Sequence, residues 1–317
     1  MKGLTDIPGI RVGHVSDYEG ITGCTAILVE RGAVAGADIR GSATGTQEID
    51  TLNPLHVTPE IHGICLAGGS AFGLEAASGV RRYLEGIGVG YPTGAAKVPI
   101  VPGAILYDLG IGKSTVRPTR EMGEGAARAA TTGAVAEGSV GAGTGATVGK
   151  SRGMKSAMKG GVGTYTVTLP GGVLVSALIA VNAFGDVIDP ATGGIIAGAR
   201  KSADSREFLN TTSELLKGLR MTPAAGNSNT TIGVVATNAR LSKTQATKLA
   251  QLAHHGLVRT ISPVHTIVDG DTLFALSAGT EAADFMTLGV AAAEAVSQAV
   301  LRAVRTATSL GGVPSVT

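Results

Sequence analysis

Gly226-Asn227-Ser228-Asn229-Thr230-Thr231-Ile232-Gly233-Val234-Val235-Ala236-Thr237-Asn238 is the most telling stretch of this chain. A cluster of small polar residues runs without a break into a β-branched apolar run, the pattern of a turn feeding a buried strand. The plain reading is a polar turn before a core strand. The chemical reading is a chain that cuts itself before Thr230. A hydroxyl at a strained strand start can attack the preceding carbonyl. Cleavage then leaves Thr230 with a free α-amine beside its own hydroxyl. An α-amine has an ordinary pKa of about 7.7–8.0, so it can serve as a general base near neutrality. Threonine activated by its own N-terminal amine is a known nucleophile arrangement.

On either side of this stretch, short apolar runs alternate with helical patterns. Residues 24–30, 164–169, 173–182, 231–237 and 272–277 read as strands bounded by Gly, Asn or Asp. Residues 71–84 carry Phe72, Ala76, Val80, Tyr83 and Leu84 at helical spacing. Ser242 and Gln245 form a capping-box pair for a helix through Leu257, and residues 282–306 read as a long Ala-rich helix. Gly68, Gly69 and Ser70 read as a tight turn that caps the helix following it. The mixture predicts a layered α/β or α+β domain. No internal repeat or charged linker interrupts it. The most polar segment, 201–221, is the candidate exposed boundary.

Composition excludes several classes. In 317 residues there are 26 Lys+Arg against 24 Asp+Glu, with 44% hydrophobic residues, too apolar and too weakly charged for a disordered chain. A net charge of +2 gives no electrostatic footprint for nucleic acid or an anionic membrane, and ten Tyr and Phe with no Trp leave little for base stacking. The 48 glycines have no collagen period and suggest tight turns and close packing. Two cysteines, Cys24 and Cys65, make no disulfide scaffold, so a reduced, cytoplasmic setting is expected. The start shows no signal-peptide pattern. The longest apolar stretch, 173–184, is too short for a membrane span, and 285–304 is broken by Glu294 and Arg302.

Several partial motifs fail on inspection. Gly141-Ala142-Gly143-Thr144-Gly145-Ala146 fits G-x-G-x-x-A, but 160–170 lacks the acidic residue a dinucleotide site needs. Gly149-Lys150-Ser151 has Thr144 where a phosphate-binding loop requires Gly. Gly68-Gly69-Ser70-Ala71-Phe72 ends in Phe72 where a nucleophile elbow requires Gly. The six histidines show no metal-ligand spacing, and His254 and His255 fall near a helix end that favours a cation or a cap. Asp269-Gly270-Asp271 is too short for a calcium loop and reads as a turn into the strand at 272.

One resemblance gathers these pieces. The chain resembles the self-processing amidohydrolases that include L-aminopeptidase/D-Ala-esterase/amidase, the β-peptidyl aminopeptidases and the nylon-oligomer (6-aminohexanoate-oligomer) endohydrolase. The likeness begins at Thr5-Asp6-Ile7-Pro8-Gly9-Ile10-Arg11-Val12-Gly13-His14 and continues at Ile64-Cys65-Leu66-Ala67-Gly68-Gly69-Ser70-Ala71-Phe72-Gly73-Leu74-Glu75. It then takes in Val98-Pro99-Ile100-Val101-Pro102-Gly103-Ala104-Ile105-Leu106-Tyr107-Asp108, residues 141–150 and 229–238, and Asp269-Gly270-Asp271-Thr272-Leu273-Phe274-Ala275. Several motifs in one order, over almost the whole chain, make this far more specific than any one of them.

The resemblance implies an α+β fold, a four-layer α-β-β-α sandwich of the self-processing N-terminal-nucleophile type. It implies one domain over 1–317, cut between Asn229 and Thr230 into chains 1–229 and 230–317 that stay together. Thr230 becomes the nucleophile. Asn182 becomes an oxyanion-stabilising amide, a donor that can contribute about 3 kcal/mol. Lys150 lies near Thr230, Asp269 and Asp271 hold its ammonium or relay protons, and Tyr107 offers a phenol to substrate or oxyanion. Thr230 with Asp269 and Asp271 is the pattern of the nylon-oligomer branch, where the aminopeptidases carry Ser at the nucleophile and Ser and Glu at the other two positions. Without the resemblance, Lys150 reads as a solvated lysine, Asn182 as a strand end at a turn and Tyr107 as an amphipathic core residue. No metal or organic cofactor is expected, and the partners expected are a small-molecule, oligopeptide or oligoamide substrate and further copies of the chain. The rival functions are an aminopeptidase on α-, β- or D-amino acid amides, an acyltransferase of the ornithine acetyltransferase type, and an inert small-molecule binding protein.

Overall fold

The computed structural model describes residues 2–220 and 229–316. The polar cluster 226–228 and the end of the polar segment 201–221 therefore lie outside the described residues.

Among the described residues, nine strands form one mixed sheet: β1 (Arg11–Asp17), β2 (Thr22–Ile39), β3 (Thr46–Gln47), β4 (Ile61–Ala67), β5 (Gly103–Ile105), β6 (Gly161–Thr168), β7 (Leu174–Asn182), β8 (Thr230–Ala239) and β9 (Thr272–Glu281). Their order is β6-β7-β8-β9-β2-β4-β5-β3, with β1 also paired to β2. The helices are α1 (Glu75–Gly86), α2 (Arg120–Arg128), α3 (Thr211–Leu216), α4 (Lys243–Thr260) and α5 (Phe285–Arg305).

β2 joins the two halves. Sequence reading ends this strand at Glu30, before the turn-like Arg31-Gly32. The strand instead runs 18 residues, to Ile39. Its first half pairs with β1 (Arg11 opposite Leu28) and β4 (Cys24 opposite Ala67). Its second half pairs with β9 (Ile39 opposite Thr272, Val34 opposite Ser277). The β2–β4 register shifts between Leu28 and Ala33, and Gly32 sits there at φ +83°, so a glycine supplies the irregularity that lets one strand serve two sets of partners.

Successive strand residues face opposite sides, and here both sides are covered, which explains the continuous apolar runs. Leu178 and Ala180 of β7 share a core with Ile27, Ile64, Ile232 and Phe274. Their neighbours Ile179 and Val181 pack with Leu249 and Leu257 of α4 and Val296 and Val300 of α5. On β2, Cys24, Ala26 and Leu28 pack against Ala76 and Val80 of α1 and Ala126 of α2.

β8 and β9 are parallel, and α4 is the crossover between them, as parallel neighbours require. Its expected capping box is present: Gln245 N donates to Ser242 Oγ at 3.2 Å and Ser242 N to Gln245 Oε1 at 2.9 Å. The helix at 71–84 differs from expectation. Its first turn is a 3-10 turn (Ser70–Leu74), α-helix starts at Glu75, and Ser70 makes no side-chain cap but sits at φ +55° after Gly69 at φ +79°. α5 is long and apolar enough to cross a membrane by length and composition, yet most of it is buried against β6, β7 and α4.

α1 and α2 touch backbone to backbone. A Cβ on Gly123 would stand 1.8 Å from the Ala76 carbonyl oxygen, and one on Gly79 would stand 1.8 Å from that of Arg120. Gly123→Val is expected to destabilise the fold by about 3 kcal/mol, since neither backbone can yield within a close-packed interior. Denaturant unfolding of the variant beside an exposed control such as Glu121→Gln checks this.

Candidate active site

Thr230 is the first residue of β8, and three segments converge on it. Asn182, the last residue of β7, lies directly opposite in the antiparallel register. On the other edge Asn229 bridges to Asp269 in parallel sense, and Gly270 N donates to Asn229 O at 3.0 Å. Thr231 N donates to Asp271 Oδ1 at 2.7 Å. Asp269 and Asp271 are two apart in extended backbone and both reach this strand start. Gly270 between them is forced: a Cβ there would meet the Ala43 carbonyl oxygen at 2.5 Å and Thr230 Oγ1 at 2.9 Å.

Thr230 is 2% exposed, and its hydroxyl donates to the carbonyl oxygen of Asn229, the residue before it. The Asn229 amide donates to Val268 O at 3.2 Å. Lys150 is buried, and its Nζ donates to both Asn182 O and Asn182 Oδ1 at 2.9 Å. Thr147 N donates to the same Oδ1 at 3.0 Å, and Asn182 Nδ2 donates to the Tyr107 carbonyl at 3.0 Å. Asp269 accepts from Phe184 N and Thr266 N, each at 3.1 Å, and from the Thr266 hydroxyl.

All six side chains singled out in the sequence belong to segments that meet here, with one change of emphasis. Tyr107 enters this network through its backbone carbonyl, which orients the Asn182 amide, rather than through its phenol. Lys150 is no solvated lysine: the Lys150 N to Phe184 O bond of 3.0 Å draws the Gly-rich loop into the interior. His254 is also corrected. Its side chain is buried and burial holds it down to about 4, so it stays neutral in α4 and neither charges nor caps the helix end.

Burying charges is costly unless they are paired and hydrogen-bonded, and clusters of strongly shifted groups mark functional sites. Burial lowers Lys150 to about 7, against the opposing pull of Asp269. Burial, with the Asp271 charge second, raises Asp269 to about 6. A second layer went unseen in the sequence. Lys159 is buried, donates to Thr144 O and Ala146 O at 2.8 Å each, and is lowered by burial to about 7. It thereby fixes the turn whose next residue, Thr147, holds Asn182. Asp108 accepts from Gly69 N and Thr22 Oγ1 at 2.7 Å, and burial raises it. A lone Lys before a strand, or an Asp after a Tyr, carries no sequence signal for such burial.

Solved structures share this architecture. A Burkholderia sp. β-aminopeptidase superposes with a TM-score of 0.70 at 23% identity, covering 100% of this chain and 91% of the other. The L-aminopeptidase D-Ala-esterase/amidase of Ochrobactrum anthropi, described as a variant of the Ntn hydrolase fold, gives 0.72 at 20% identity, covering 99% and 88%. At these identities the likeness is one of fold alone, the variant Ntn hydrolase fold described for the second. Sequence carries the assignment further: the profile of peptidase family S58 matches residues 2–317, and the chain belongs to that family, as a hydrolase of amide bonds. Among similar proteins, an uncharacterized aminopeptidase of Mycobacterium tuberculosis is 39% identical over 99% of this chain and 97% of its own length. The 6-aminohexanoate-oligomer endohydrolase of Kocuria sp. is 32% identical over 95% and 85%.

Lys150 is expected to lose its proton near pH 7 in the folded protein, which heteronuclear NMR of labelled lysine reads directly. Its folded value lies below its unfolded one. The stability it contributes is therefore present above the unfolded value and lost as pH falls through about 7. Lys150→Met is expected to flatten part of the rise in stability between about pH 7 and pH 10.

Proposed function

We propose that the protein cuts its own Asn229–Thr230 bond and then uses the Thr230 hydroxyl to hydrolyse amide bonds of small peptides or oligoamides. The observation that carries this reading is the Thr230 hydroxyl lying on the Asn229 carbonyl inside the Lys150, Asn182, Asp269 and Asp271 cluster.

In the first step Oγ1 attacks the Asn229 carbonyl carbon. The hydroxyl proton passes to the Thr230 nitrogen as the C–N bond breaks, leaving an ester. Water hydrolyses the ester to an Asn229 carboxylate and a threonine with free amine and hydroxyl. In turnover the amine takes the hydroxyl proton while Oγ1 attacks the substrate carbonyl. The amine product leaves with that proton, and water releases the acyl group from Oγ1. Asn182 Nδ2, oriented by the Tyr107 carbonyl, serves the oxyanion from the strand opposite Thr230. Lys150 holds Asn182 in place and, in its protonated form, adds positive charge near the developing oxyanion. Asp269 and Asp271 hold the new ammonium. The Tyr107 phenol faces substrate in this reading.

The same reading makes the architecture a four-layer α-β-β-α sandwich. Supporting it, one core lies between α1/α2 and the β1–β2–β4 half, one between the two strand sets, and one under α4/α5. Chains 1–229 and 230–317 remain one body because β8 and β9 sit between β7 and β2. Several such αβ units assemble. Relatives named for aminopeptidase and for 6-aminohexanoate-oligomer endohydrolase activity support α-peptides and ω-amino acid oligomers as the substrates to screen.

Intact-mass analysis of denatured protein, beside Thr230→Ala, tests the reading. Two fragments meeting at Asn229/Thr230 in the wild type, and one full-length inactive species in the variant, are expected. A full-length wild type that hydrolyses amides, or an active Thr230→Ala, contradicts it. Activity is also expected to fall as pH drops through about 6, because Asp269, raised to that value, then takes up the proton that cancels its hold on the ammonium. A kcat/KM profile between pH 4.5 and 8 reads this limb.

A further inference from the structure

His265 belongs to none of the motifs above, yet it touches the acidic pair. Its Nδ1 lies 2.8 Å from Asp271 Oδ2, and its backbone N donates to the same oxygen at 3.2 Å. Oδ1 of that carboxylate is taken by Thr231 N at 2.7 Å. Both Asp271 oxygens are thus tied, one to the nucleophile strand and one to His265. An ionised carboxylate only accepts, so the ring donates to it from Nδ1. The other ring nitrogen, Nε2, is buried with no hydrogen-bond partner among the described residues.

The ring is held from behind. His254 of α4 meets it edge-on, centroids 4.9 Å apart at 70°, and His254 Nε2 lies 3.1 Å from the Asp38 carbonyl of β2. His265 itself sits at φ +54°, a left-handed conformation that a non-glycine residue adopts at a cost. A strained backbone, a half-buried ring whose Nε2 has no hydrogen-bond partner among the described residues and a short contact to one carboxylate are what a residue kept for its aim would show.

We propose that His265 is the positioning residue of the acidic pair, fixing the Asp271 carboxylate at the distance from Asp269 and Thr230 that the site requires. This rests on the reading of the cluster as a hydrolytic site. Charged and titratable groups facing the pair and the ring are Lys150 from the Gly-rich loop, His254 from α4 and Asp38 from β2. With the ring gone, Asp271 keeps its backbone donors but loses its side-chain tether and turns away from Asp269.

Two variants separate aim from bulk. His265→Ala removes the ring. His265→Asn keeps a side-chain N–H and tolerates the left-handed backbone better than most residues. The first readout needs no turnover: carboxyl-carbon NMR follows the Asp269 titration in wild type and both variants. Asp271 is one of the two causes that raise Asp269 to about 6. The expected result is a lower Asp269 titration in His265→Ala and a return toward the wild-type value in His265→Asn. The second readout is hydrolysis of alanine p-nitroanilide, where His265→Ala is expected to lose about tenfold or more in kcat with KM nearly unchanged, and His265→Asn to recover most of it.

An Asp269 titration that stays or rises in His265→Ala overturns the proposal, as does a His265→Asn that restores nothing. A lowered Asp269 titration in His265→Ala, beside a wild type that never turns over amides, upholds the positioning and contradicts the hydrolytic reading instead.

Discussion

The site depends on one strand start. Thr230 is where β8 begins, and it is clamped on both edges: by Asn182 at the end of β7 and by the Asp269-Gly270-Asp271 turn at the head of β9. A free strand end would fray, and its hydroxyl would sample many rotamers. Here the antiparallel ladder on one side and the parallel bridge on the other leave the Thr230 hydroxyl against the carbonyl before it. The long β2, the α4 crossover and the packed faces place those two edges on either side of one residue.

The second requirement is dielectric. Lys150, Asp269 and Asp271 are each 1–2% exposed, a costly set of charges to bury. Their cost is met by backbone N–H and C=O groups and by one another. The Lys150 ammonium has both Asn182 oxygens, Asp269 has Phe184 N and Thr266 N, and Asp271 has Thr231 N and His265. A buried network whose charged groups are hydrogen-bonded in this way is held rigidly, and in low dielectric its charges act strongly on one another. Burial brings the lysine down to about 7 against the pull of Asp269, and burial with the Asp271 charge brings the Asp269 carboxyl up to about 6.

Much of this was legible in the sequence where local chemistry and tertiary context agree. Strands buried on both faces show as continuous apolar runs, as in 173–182. The Ser242/Gln245 box marked the start of α4 to the residue, while the helix runs three residues past Leu257, to Thr260. The length of β2 was not legible, because Arg31-Gly32 has turn chemistry and only the partner change from β4 to β9 carries the strand through it. Thr230, Asn182, Lys150 and the two aspartates became visible through ordered motifs, not composition; alone, Lys150 reads as solvated. His265 and Lys159 stayed hidden because burial of a single polar residue is decided by what packs over it, which no local pattern encodes. His254 misled for the same reason: near a helix end a histidine favours charge, yet this one lies under β2.

If the Thr230 oxygen carries the acyl group, peptide mapping by mass spectrometry of enzyme quenched during turnover of an activated ester will find it. An acyl adduct on Thr230, at the first residue of a fragment that begins there, is expected. An adduct on another side chain, or steady hydrolysis by a protein whose Thr230 is never acylated, would contradict it.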